Sequence, residues 1–68
     1  MVALIRNSSG RIGVVKGNVV GYRVIESTES LTMTVLLTGV VPEVTFETAP
    51  DEATMIPLVA SFIQSVEA

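Results

Sequence analysis

The stretch LTMTVLLT, residues 31–38, constrains the fold more than any other part of the chain. Leu31, Met33, Val35 and Leu37 share one parity, and Thr32, Thr34 and Thr38 share the other. A period of two belongs to a strand half-buried against a core, because successive side chains leave the pleat on opposite faces. Leu36 interrupts the pattern by putting an apolar group on the threonine face. Gly39 and Pro42 then punctuate a turn. Residues 43–48 alternate again, with Val44 and Phe46 opposite Glu43, Thr45 and Glu47. Two alternating segments joined by a short turn pair as antiparallel neighbours.

The spacing changes after Thr48. Met55, Ile56, Leu58, Val59, Phe62, Ile63 and Val66 recur at about 100° per residue, the signature of an amphipathic helix. The expected helix covers residues 51–66. Thr48 and Asp51 have a capping-box-like spacing, Pro50 suits a first turn, and Asp51 and Glu52 lie near the positive end of the helix dipole. Pro57 leaves two placements open. It kinks a helix begun near residue 51, or it sits in the first turn of a shorter helix capped by Thr54.

Upstream, three further strands are expected over residues 2–6, 11–16 and 19–26. NSSG at 7–10 closes the first hairpin, and STES at 27–30 makes the connection to residue 31. Gly17 and Asn18 are placed as a two-residue turn, since both tolerate positive φ. The sequence thus predicts a single α+β domain over residues 1–68, an antiparallel β-meander of four to five strands with one C-terminal amphipathic helix packed on a sheet face.

The run GRIGVVKGNVVGYR, residues 10–23, tests whether nucleotide chemistry is present. Its glycines stand at 10, 13, 17 and 21. A phosphate loop needs G-x-x-x-x-G-K-[ST], and a dinucleotide fingerprint needs G-x-G-x-x-G before a helix. Neither occurs, and a strand follows. Gly10 and Gly17 are assigned to turns, and Gly13 and Gly21 to bulges or close backbone approaches.

Composition narrows the function classes. The chain has neither cysteine nor histidine, which removes disulfides, thiolate and imidazole metal ligands, and the commonest general base. Asp51 and Glu52 are adjacent on a helix and do not face each other. Glu43 and Glu47, with Thr45 between them, read as a solvated strand face, because a hard cation wants more oxygens than two carboxylates supply. No catalytic residue, metal site or cofactor is predicted. An enzyme would need a site assembled between subunits around Glu43, Glu47 and Tyr22.

Hydrophobic residues make up 49 % of the chain and charged residues 16 %. A domain this small hides only part of that apolar surface, so a homo-oligomer is expected. Val15, Val19, Ile25 and Leu36, read as lying off the helix-covered face, are the predicted subunit contacts. The favoured function is a small non-catalytic homo-oligomeric binding or assembly protein of bacterial or phage type. The alternative is an RNA-binding regulator. Arg6, Arg11, Lys16 and Arg23 are all the positive charges, and every acid lies at or after Glu26. Such segregation makes those four residues candidate nucleic-acid contacts. Against this stand a net charge of −3 and only three aromatic residues, Tyr22, Phe46 and Phe62. The start, MVALIRN, carries no secretory pattern and no apolar run spans a membrane, so a cytoplasmic location without membrane contact is expected.

Residues 32–52, TMTVLLTGVVPEVTFETAPDE, resemble the central strands of the carbon storage regulator family in a threonine–valine strand, a turn, a second strand and an Ala-Pro before the helix. That resemblance implies a five-stranded, RNA-binding, interlocked dimer with a C-terminal helix. The family binds RNA through basic and apolar residues of its first and last strands. This chain carries Glu43, Thr45 and Glu47 in the last strand.

Overall fold

The structure, a computed structural model, describes residues 3–68. Val2, the expected start of the first strand, lies outside the described residues. The elements follow in the order β1 (Leu4–Arg6), β2 (Gly13–Val15), a 3-10 turn (Lys16–Asn18), β3 (Val19–Glu26), β4 (Leu31–Leu37), β5 (Glu43–Ala49) and α1 (Glu52–Glu67). The protein is α+β, with antiparallel sheets and a C-terminal helix packed on the sheet.

The strands do not form one meander. β1 and β2 make a two-stranded sheet, and β3, β4 and β5 make a second sheet in that order. The break falls at Gly17 and Asn18. A two-residue hairpin there would need positive φ, but Gly10 and Gly39 are the glycines with positive φ among the described residues. Residues 16–18 instead wind through a 3-10 turn. The Asn18 carbonyl then accepts from the Thr38 N–H at 2.9 Å, which directs β3 onto β4 rather than back along β2.

NSSG does close the β1–β2 hairpin. Gly10 takes φ +76°, and the Asn7 carboxamide oxygen accepts from the Ile12 N–H and the Ser9 hydroxyl, both at 3.1 Å. The hairpin contributes Ile5 and Val14 to the core, where they join Met33, Val35, Phe46, Ala49, Met55 and Phe62.

Two bulges shift the side-chain pattern. In β3 the register slips between Val19 and Gly21, so Val19 lies opposite Leu37 and Gly21 opposite Leu36. Val20 is the extra residue. Val19 therefore shares the core-facing side with Leu37 and packs against the core, instead of sharing a face with Ile25. In β5 the slip lies between Met33 and Thr34, where Met33 pairs with Glu47 and Thr34 with Thr45. Phe46 and Glu47 are consequently both buried, which a strict period of two forbids.

Asp51 is the N-cap of α1, its carboxylate accepting from the Thr54 N–H at 2.8 Å. The helix starts ahead of Pro57 and continues through it, so Pro57 is interior and exposed rather than in a first turn. The helix lies chiefly against β5, with β1 and β4 beside it. Phe62 anchors it, meeting the Phe46 ring edge-to-face at 5.3 Å between centroids.

Candidate interaction surface

Because α1 sits over β4 and β5, β3 is left at the rim. Five of its residues, from Tyr22 to Glu26, are exposed in succession. Tyr22 lies opposite Val35 and Val24 opposite Met33, so both share the core-facing side of the sheet with two completely buried residues. Yet each is 41 % exposed. Tyr22 leans on Phe62 edge-to-face at 6.1 Å, and beyond it Val24, Val59, Ile56 and Ile63 line an open, mainly apolar groove between β3 and α1, which Glu26 and Glu52 also line. A second hollow, lined by Val20, Tyr22, Phe62, Ile63 and Val66, continues the groove toward the helix C-terminus.

The two edges of the larger sheet differ. β3 is a terminal strand with no strand partner on its outer side among the described residues. β5 is terminal too, but it is engaged midway along its length by the residue 7–8 loop. The Asn7 side-chain N–H donates to the Phe46 carbonyl at 3.0 Å, and the Ser8 N–H and hydroxyl donate to the Glu47 carboxylate at 2.8 Å each. The β5 edge is held at one backbone carbonyl, and the β3 edge is open.

The four cations are not gathered on one surface. Arg23, on the sheet face away from α1, pairs with Glu43 at 2.9 Å. Lys16 donates to the Ala68 carbonyl at the helix C-terminus, where a positive charge complements the dipole. Arg6 and Arg11 are exposed on the β1–β2 hairpin, the Arg6 side chain lying over Gly13. The residues expected at a subunit contact are likewise dispersed. Ile25 and Leu36 lie on the sheet face away from α1, Val19 packs against the core, and Val15 is half-buried on β2 opposite Leu4. Glu43 and Glu47 do not form a carboxylate pair: the first is exposed and held by Arg23, the second buried and held by Ser8. Among the described residues no cluster of three or more acidic side chains is arranged to hold a metal ion, and no helix is long and apolar enough to cross a membrane.

The sequence reading missed the β3–α1 groove itself. Its signal was present in Tyr22 and Val24 on one parity and in the breadth of the apolar set on α1, which includes Ile56, now 58 % exposed. No protein-family model, curated protein or solved structure matches the chain. The five-stranded sheet that the resemblance of residues 32–52 implied is replaced by separate sheets of two and three strands.

Proposed function

We propose that the protein is a small non-catalytic homo-oligomer that works by binding another macromolecule or by assembling. The observation that carries this reading is the open β3 edge flanked by the apolar groove against α1. Exposed β-branched and aromatic side chains on a long, unpaired edge strand favour association, and proteins that stay monomeric blunt such edges with charge, proline or a covering segment. Here the only charged side chains on β3 are Arg23, already paired with Glu43, and the terminal Glu26.

The non-catalytic part of the reading is supported by the state of the polar groups. The chain lacks cysteine and histidine, and of the carboxylates singled out, Glu43, Glu47 and Asp51 are each engaged by a structural partner. Native mass spectrometry and light scattering across a dilution series test the reading. A discrete oligomer at micromolar concentration is expected. A strict monomer at every concentration overturns it.

A further inference from the structure

Resting on that reading, we infer that the occupant of the open edge is a second copy of this chain, its β3 pairing antiparallel with the first β3 about a two-fold axis at Arg23. The sheet becomes continuous in the order β5-β4-β3-β3-β4-β5. Both β3 edges are used up in this pairing. On each outer β5 edge the Asn7 side chain holds the Phe46 carbonyl, while Ser8 holds the Glu47 side chain. A two-fold pairing that consumes both β3 edges closes at two copies instead of growing through them.

The register follows from the strand itself. A two-fold normal to the sheet keeps both helices on the same side, so each residue must oppose one of its own parity. The Val20 bulge confines regular geometry to residues 21–26. An axis at Val24 sets Tyr22 against the second copy's Glu26. An axis at Tyr22 needs the bulged Val20 as the partner of Val24. An axis at Arg23 sets Tyr22 against the second copy's Val24, twice, on the helix side, and Gly21 against Ile25, twice, on the other side. Aromatic against β-branched is among the better cross-strand pairs. The Tyr22–Val24 pairs lie on the floor of the apolar groove, which the second copy's groove then continues.

That axis brings Arg23 opposite Arg23, an arrangement that repels. The ion pair removes the obstacle. Arg23 lies opposite Thr34 and Glu43 opposite Leu36, so the 2.9 Å Arg23–Glu43 contact spans the central strand and draws the guanidinium inward, away from the free edge. Glu43 thus acts on the interface from the far strand, without touching the second copy.

The chain has no cysteine, so single substitutions report the register directly. Tyr22→Cys and Val24→Cys proteins are mixed and oxidised. Directly opposed residues are within disulfide reach, and the expected product is the mixed 22–24 disulfide in several-fold excess over either homodisulfide. A dominant homodisulfide, or no cross-link, overturns the register. Hydrogen exchange on the unsubstituted protein covers the case of misfolded variants. Concentration-dependent protection is expected in residues 21–25, and protection confined elsewhere overturns the edge assignment while leaving self-association standing. A monomer at every concentration defeats the broader reading instead. Glu43→Gln is expected to weaken the dimer by up to about five-fold, less at high salt. An unchanged dissociation constant removes Glu43 from the interface.

Discussion

Glu47 accepts two hydrogen bonds from Ser8, one from the backbone N–H and one from the hydroxyl, each at 2.8 Å. The two residues are 39 positions apart, and their contact ties the β1–β2 hairpin to β5. Glu47 is 8 % exposed, a depth at which a carboxylate is normally partnered. Replacing it by Ala removes the acceptor of both Ser8 hydrogen bonds. Hydrogen bonds to a charged group contribute about 1.5–3 kcal/mol, so Glu47→Ala should lower unfolding stability by about 2 kcal/mol in a urea titration. Ser8→Ala keeps the backbone bond and should cost less. Equal losses would mean that the hydroxyl carries the contact.

Gly10 and Gly17 form an internal comparison. A Cβ placed on either meets nothing within 4 Å, so space does not distinguish them. Backbone conformation does, since Gly10 has φ +76° and Gly17 is not in the positive-φ region. Gly10→Ala should cost about 1 kcal/mol, the penalty for a side chain in the left-handed region. Gly17→Ala should be neutral or stabilising by about 0.4–1 kcal/mol, because it restricts the unfolded chain without straining the 3-10 turn. The reverse order would restore the hairpin expected from the Gly-Asn pair.

Asp51 gives the fold a pH dependence of known sign. The Thr54 side chain and then the Thr54 backbone N–H hold its carboxyl below the ordinary carboxylate value of 3.8. A group with a depressed folded pKa stabilises above its unfolded pKa, and that stabilisation is lost as pH falls through the folded pKa. Asn caps a helix as well as Asp but carries no charge for the dipole. The melting temperature of Asp51→Asn should therefore lie below that of the parent at neutral pH and converge with it in acid. A gap that persists in acid would assign the effect to packing.

Residues 31–37 and the face of α1 around Met55 and Phe62 were legible because one side of each element meets a continuous core, and burial imposes the period directly. The β2–β3 break was not. Gly-Asn suits both a tight hairpin and a 3-10 turn, and the choice is made by Thr38, just past the end of β4, which donates to the Asn18 carbonyl. The two bulges escaped for a related reason. One extra residue at Val20 turns Val19 toward the core, and one at Phe46–Glu47 sinks a carboxylate that accepts its hydrogen bonds from Ser8. Local alternation carries no information about either partner. The open β3 edge shares this origin. Strand order, rather than strand pattern, decides which row of backbone groups lacks a neighbour.

Pro57 lies exposed inside α1, where it has no N–H to donate to the preceding turn, at Ala53. A helix-interior proline is about 3 kcal/mol less favourable than alanine, while losing its ring frees the unfolded chain by about 0.4–1 kcal/mol. Pro57→Ala should thus raise stability by about 1–3 kcal/mol in chemical denaturation. One competing effect sets the limit. Met55 and Phe62 lie on either side of Pro57 in sequence and are both buried, at 2 % and 4 % exposure. If both reach the core only because the proline bends the helix around the sheet, straightening it would withdraw one of them. The variant would then be destabilised and its near-ultraviolet circular dichroism from the Phe46–Phe62–Tyr22 cluster would change. A gain in stability with that signal unchanged shows that α1 docks through its own apolar stripe and that the proline is tolerated rather than required.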